Sequence, residues 1–259
     1  MSESDHLVLV EDRGAVRHVV LNRADKRNAF NQALVEALGV ALRDAASDAS
    51  VRCVVIRGEG KVFSAGMDLQ ELASFAGAPE RLREFRSVCI QIWNLAEEMT
   101  KPTIAQIHGG CFGGAFELAL ACDLRVVTDD VRLSIPEVRL GLVPDVGGSS
   151  RLPSIVGLGR AKDLILTGRE FGADEAMAIG FANRLASSAS IDQVTQALAD
   201  ELLLAQPLPQ GLAKRIMDVS AKPALSTTLE LEVTAQEVCV AAISAQFKAA
   251  AASADTAGG

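Results

Sequence analysis

The sequence predicts an α/β protein, with a spiral or parallel-sheet core over residues 1–190 and a helical region over 191–259 that ends in a frayed tail. Three observations lead to this fold class. Short β-branched runs alternate with stretches of helical period up to about residue 190, the pattern of strands joined by crossover helices. A unit of strand, glycine loop and helix occurs twice, at 51–75 and at 103–122, as a weak internal repeat. Beyond Arg151 the composition turns strongly helical, with no low-complexity linker before it.

Taken in order, 7–10 and 15–21 are β-rich runs around Asp12-Arg13-Gly14, which reads as a hairpin turn. His6 and His18 fall on this hairpin. The segment NRADKRNAFN is a loop by its asparagines and charges, and Lys26 and Arg27 in it are adjacent cations in an otherwise acidic chain. By charge alone they are a solvated turn. From Asn31, a helix cap, Leu34, Leu38, Leu42 and Ala45 form a helical stripe. The run 51–57 is a strand, and Gly58, Gly60 and Gly66 make the following GEGKVFSAGMDLQEL a loop. Asp68 with Glu71 three residues on has the form of a capping box, so a short helix starts there. Pro79 opens a long helix that keeps its period through Met99 and carries Trp93 as a core residue.

Residues 103–107 form the next strand, closed by His108, and a helix begins near Gly114. Strands at 124–128 and 132–135 follow, then irregular chain around Pro136-Glu137 and 141–148. Helices are expected at GRAKDLILTG, ADEAMAIG, 191–204, 211–219 and from Ala224 onward, with one last strand at 181–185 and ASADTAGG as a polar end that frays.

Composition narrows the function. The formal charge of -8 and pI near 5.0 give no footing for a nucleic-acid backbone, so nucleic acid is not an expected partner. Five cysteines, odd in number and without CxxC spacing, mostly sit in apolar runs, which fits a reducing cytoplasm. No stretch has the form of a signal peptide or of a membrane span. Three histidines without metal-type spacing predict no metal site, and neither GxGxxG nor a Walker loop is present.

The chemistry concentrates between His108 and Asp145. Glu117 lies in the first turn of an apolar helix, with Gly113, Gly114, Leu120 and Ala121 on its face. A carboxylate there is favoured by the helix dipole, yet its burial is costly unless it is paired or used, and desolvation raises its pKa toward an acid/base range. The same helix start leaves backbone N–H groups unpaired, and the two glycines let a carbonyl oxygen approach them. Glu137 and Asp145 are loop acids; singly each reads as structural, and together with Glu117 they are three candidates for moving protons. For Asp145 a turn residue or an ion-pair partner of Arg151 stands beside that reading.

The stretches FSAGMDLQEL, KPTIAQIHGGCFGGAFELALACDLRV, IPEVRLGLVPDVGGSSRLP and LNRADKRNAFN resemble the motifs of the crotonase, or enoyl-CoA hydratase/isomerase, superfamily over roughly residues 7–185. The resemblance implies a spiral of ββα repeats and a C-terminal helical region that packs homotrimers, often paired into hexamers. It implies an acyl-CoA thioester as substrate, with coenzyme A part of it and no separate cofactor. The backbone N–H groups of Ala65 and Gly114 would form the oxyanion hole, with Gly66, Met67 and Asp68 lining the acyl-CoA site and Lys26, Arg27 and Ala29 bordering the CoA moiety.

Glu117 and Glu137 align with the two glutamates of hydratases, which implies addition of water across the 2,3 double bond of an enoyl-CoA. The sequence departs from that pattern at Asp145, where hydratases commonly have glycine and dienoyl-CoA isomerases an acid; those isomerases have aspartate at the place of Glu117. It also lacks the usual basic and aromatic ending after Phe247-Lys248. An enoyl- or dienoyl-CoA isomerase using Glu137 and Asp145, and a non-catalytic acyl-CoA-binding protein, are the alternatives.

Overall fold

A computed structural model describes residues 7–75, 78–222 and 224–257, with side chains described throughout except at Pro79 and over 243–257. His6 lies outside the described residues. The chain starts with an antiparallel hairpin, β1 (Val8–Arg13) and β2 (Val16–Leu21), in which Asp12 and Arg13 pair as strand residues and the turn tightens onto Gly14 at φ 64°. Asn31 accepts from the Leu34 N–H at 3.0 Å and so caps α1 (Gln32–Ser47), whose predicted stripe of Leu34, Leu38, Leu42 and Ala45 is buried. Then follow β3 (Cys53–Gly58), α2 (Leu69–Ser74), α3 (Pro79–Glu98), β4 (Thr103–Ile107), β5 (Gly110–Phe112), α4 (Gly114–Ala121), β6 (Leu124–Thr128) and β7 (Arg132–Ser134). After them come α5 (Gly148–Val156), α6 (Leu158–Thr167), α7 (Ala173–Ala178), β8 (Arg184–Ala186), α8 (Ile191–Leu203), α9 (Pro207–Ala221) and α10 (Leu225–Ala257).

Six strands form one sheet in the order β1-β2-β3-β4-β6-β8, parallel from β2 onward, so each strand after the hairpin is reached by a crossover. Strand periodicity then sorts side chains onto two faces. Val19, Leu21, Val54, Ile56, Ala105, Ile107 and Val127 point to the larger core, which α1, α3 and α4 fill; Val16, Cys53, Val55, Ile104 and Val126 point to a smaller one covered by Ile191, Leu198 and Ala199 of α8. The first helix after residue 190 is thus part of the sheet's own packing. The strand β5, which sequence periodicity does not show, pairs in parallel with β7; bridges Phe30–Met67, Ser64–Cys111 and Leu133–Phe171 extend this second layer. Each turn of the spiral therefore gives one strand to the large sheet and a short one to the layer beside it.

The polar end expected to fray continues as α10 through Ala257, in keeping with the high helix propensity of alanine; Gly258 and Gly259 lie outside the described residues. No helix among the described residues is long and apolar enough to cross a membrane.

Candidate active site

The loop between β3 and α2 is held by a residue that sequence analysis did not single out. Asn28, buried at φ 53°, donates its amide to the carbonyls of Glu59, Val62 and Phe63 at 2.9, 3.1 and 3.0 Å and accepts from the Arg23 N–H at 2.9 Å. This knits the Lys26–Arg27 turn to the SAG loop. Gly66 at φ 87° lets the loop lie against β5: a Cβ there would stand 2.4 Å from the Phe112 carbonyl oxygen.

Two of the expected roles change. The Ala65 N–H already donates to the Arg27 carbonyl at 2.9 Å, so Ala65 is not the free donor expected beside Gly114. The parallel bridge of Phe30 with Met67 uses the Gly66 carbonyl and the Asp68 N–H, which leaves the Met67 N–H on the opposite side, toward Gly114. Met67 packs there, its Cε 2.7 Å from where a Gly114 Cβ would be. Met67 and Gly114 thus offer the paired N–H groups, neither hydrogen-bonded among the described residues. Gly113 at φ 54° turns the chain into α4, and Trp93, buried as expected, donates to the Gly114 carbonyl at 3.2 Å and steadies that corner.

Asp68, expected to line the substrate site, borders the groove, but its carboxylate is engaged elsewhere. One oxygen caps α2 through the Gln70 and Glu71 N–H groups and the other pairs with Arg23 at 2.6 Å. The reciprocal arm of a capping box is absent among the described hydrogen bonds, because the Asp68 N–H goes to the Phe30 carbonyl.

A cavity of about 210 Å³ opens beside the Met67–Gly114 corner. Leu72, Leu82, Phe85 and Cys89 give it apolar walls, and Glu117, Glu137, Asp145, Arg86 and Gln236 all face it. Glu117 is 2% exposed, and its Oε1 accepts from the N–H groups of Val146 and Gly148 at 3.1 and 2.7 Å. Burial first, then the charges of Glu137, Asp145 and Glu232, push its pKa well above the usual carboxylate value. Burial and Asp145 likewise raise Glu137 to about 7, and its Oε2 is buried without a hydrogen bond among the described residues. Asp145 is raised to about 6 by burial, against the pull of Arg86. Its partner is Arg86, at 3.3 Å, and not the Arg151 considered from sequence; Arg151 pairs with Glu97 at 2.9 Å and donates to the Val146 carbonyl. Three acids share one cavity, each raised above its ordinary pKa by burial first, with Arg86 beside Asp145, an arrangement suited to holding and exchanging protons.

A second groove, of about 680 Å³, adjoins the first at Ala65, Met67, Leu69 and Phe112 and is bordered by Lys26, Arg27, Ala29, Asp68 and Arg132. Lys26 and Arg27 are exposed, as a site for an anionic ligand requires. Arg132, Arg86 and Gln236 were missed from sequence, each an ordinary helix or strand residue until the fold brings it to these walls, and so was Glu232, which lies off the walls and bonds to Gly147 and Ser150.

Comparison with known proteins gives a match of residues 11–252 to a family described as enoyl-CoA hydratase/isomerase. The chain is similar to an enoyl-CoA isomerase/hydratase of Mycosarcoma maydis, 34% identical over 228 residues that cover 84% of this chain and 82% of that protein. It is similar to a 4-chlorobenzoyl coenzyme A dehalogenase of an Arthrobacter species, 37% identical over 236 residues, 90% of this chain and 85% of that one. Among solved structures it resembles an enoyl-CoA hydratase from Bacillus anthracis with a TM-score of 0.79 at 30% identity, covering 88% of this chain and 91% of that one.

Proposed function

Because the chain belongs to the enoyl-CoA hydratase/isomerase family, we propose that it is a hydratase that adds water across the 2,3 double bond of a 2-enoyl-CoA thioester. One observation carries this reading: a buried glutamate, Glu117, and a half-buried one, Glu137, whose Oε2 is itself buried, face one cavity beside two backbone N–H groups that make no hydrogen bond among the described residues. The thioester oxygen accepts from Met67 and Gly114, which draws electron density from C3 and stabilises the enolate that forms at C2. Water sits between the glutamates. The two N–H donors on Glu117 Oε1 oppose the rise that burial imposes on its pKa and stabilise its carboxylate, which takes the proton as the water oxygen bonds to C3. The unbonded buried Oε2 of Glu137 favours a carboxyl, which delivers a proton to C2. The two acids then exchange the proton through solvent, and the pair returns to its starting state.

Lys26 and Arg27, with Arg132, meet the CoA phosphates in the larger groove, and the CoA carried by the substrate is the only coenzyme in the scheme. Leu208, Leu212, Ile216 and Val219 form an exposed apolar stripe at helical spacing on α9, which supports a homotrimer or a dimer of trimers as the working assembly. Sedimentation at micromolar concentration tests this; a monomer contradicts it.

Asp145 favours a second reading, double-bond isomerisation with Glu137 and Asp145 as the proton carriers, since both face the cavity. Ultraviolet absorbance separates the two: loss of conjugation from a 2-enoyl-CoA marks hydration, and extended conjugation from a 3,5-dienoyl-CoA marks isomerisation.

A further inference from the structure

The helix α5 begins without a side chain of its own to cap it, because its N-cap is Gly147. The cap comes instead from α10. Glu232, 5% exposed, accepts from the Gly147 N–H at 2.8 Å, the Ser150 N–H at 2.6 Å and the Ser150 hydroxyl at 2.5 Å. One turn further along the same face of α10, Gln236 Oε1 accepts from the Val143 N–H at 3.0 Å. The segment so gripped includes the tripeptide Val146-Gly147-Gly148. Its outer two N–H groups point to Glu117 Oε1, at 3.1 and 2.7 Å, and its middle one to Glu232. Two buried carboxylates therefore hold one tripeptide from opposite sides.

The tripeptide has little freedom to settle elsewhere. Gly147 sits at φ 112°, and Arg151 fills the space beside it, with Nη1 1.7 Å from where a Gly147 Cβ would be and bonded to the Val146 carbonyl at 3.2 Å. The Gly147 N–H belongs to the peptide unit that shares its two Cα atoms with the units carrying the Val146 and Gly148 N–H groups, so displacing it displaces an end of each neighbouring donor unit. Burying Glu232, with no cation bonded to it among the described residues, carries a desolvation cost, and no side chain at position 147 could take over its role, because Arg151 fills the space a Cβ would need.

We propose that Glu232 is a positioning residue for the reaction: by clamping Gly147 and Ser150 from α10, it sets the two N–H groups that orient Glu117. This rests on Glu117 being the base in the proposed hydration. It makes the C-terminal helix part of the active-site machinery, through a contact that spans 85 positions of sequence.

The test compares wild type with Glu232→Ala, Glu232→Asp and Ser150→Ala in two readouts. In the first, hydrogen exchange of amides in 142–152 speeds up by about tenfold or more in Glu232→Ala and less in Ser150→Ala, as expected when charge-assisted bonds are lost. Exchange unchanged from wild type overturns the clamp, whatever the protein's reaction. In the second, kcat for hydration of crotonyl-CoA falls about 10- to 100-fold in Glu232→Ala with KM within about threefold, and the limb of the pH profile set by Glu117 moves to lower pH as a neighbouring negative charge is removed. Glu232→Asp, one methylene short, restores neither. A variant that loses melting temperature while keeping kcat and the pH profile makes Glu232 a purely structural cap and overturns the proposal. Wild type that hydrates no enoyl-CoA overturns the hydratase reading and, with it, the catalytic part of this inference.

Discussion

Replacing Gly148 by alanine isolates the cradle of Glu117. A Cβ at this position would stand 2.6 Å from Ile135 Cδ1, 2.7 Å from Pro144 Cβ and 2.8 Å from Glu117 Oε1. All three neighbours are packed, so the chain at Gly148 must retreat, and its 2.7 Å bond to Glu117 is lost or lengthened. The lost charge-assisted bond costs about 1.5–3 kcal/mol and the overpacking about 1–3 kcal/mol. A loss of about 3 kcal/mol lowers Tm by roughly 6–12 °C in a protein of this size. Because Glu117 also shifts, kcat for crotonyl-CoA falls on the order of 100-fold. Gly159→Ala is the control: a Cβ at Gly159 meets nothing within 4 Å, the site is helical, and the change adds roughly 0.5 kcal/mol of stability with kcat unaltered. Calorimetry and steady-state kinetics on the two variants decide the matter. Gly148→Ala with wild-type kcat and a Tm within a degree or two of wild type refutes the cradle.

Other expectations follow from the same geometry. Asn28→Ala removes four hydrogen bonds of a buried side chain at positive φ; it should cost about 3–5 kcal/mol and raise KM for the CoA ester more than it lowers kcat, read by urea unfolding and kinetics. Gly66→Ala puts a methyl 2.4 Å from the Phe112 carbonyl at φ 87° and should cost about 3 kcal/mol or more, and wild-type stability of this variant would contradict the close approach of the SAG loop to β5. Lys26→Ala with Arg27→Ala should raise KM about tenfold, with kcat held and the effect fading at high salt; a fall in kcat alone would remove them from CoA binding. For Glu137, a folded pKa of about 7 against an ordinary 4.5 means that the native state binds the proton more tightly. The stability this contributes is fully present below about pH 4.5 and lost as pH rises through 7, an amplitude of roughly 2–3 kcal/mol. Relative to Glu137→Gln, wild type should therefore lose stability by that amount from pH 4.5 to 8 in urea titrations, and parallel curves would mean Glu137 is not buried as described.

What could be read from sequence was what local rules govern. The Asn31 and Asp68 caps, the stripe along α1 and the buried acid in α4 each depend on residues within a few positions, and they appear in the structure where the pattern puts them. Motif order and spacing supplied the family and its spiral. The three-residue strands β5 and β7 are too short for a period of two to register, although they carry the corner where Met67 and Gly114 meet. The exchange of Ala65 for Met67 as a donor turns on strand register, since a parallel bridge engages alternate N–H groups and one or two positions decide which remain free. Arg86 as the partner of Asp145, and Glu232 as the partner of Gly147, are contacts between segments 59 and 85 residues apart, which nothing in local composition reports. The polar face of α10 looks solvated in sequence because helical spacing alone does not say what it faces.

The central claim is that Glu117 is the base for addition of water to a 2-enoyl-CoA. Glu117→Gln keeps the side chain's shape and an oxygen for the Val146 and Gly148 N–H groups, and removes only the capacity to take a proton. The direct measurement is the rate at which each protein bleaches the ultraviolet absorbance of crotonyl-CoA. The account predicts hydration by wild type and a kcat lower by about 10²–10⁴-fold in Glu117→Gln, with binding of the ester unchanged. Hydration by Glu117→Gln at the wild-type rate contradicts it.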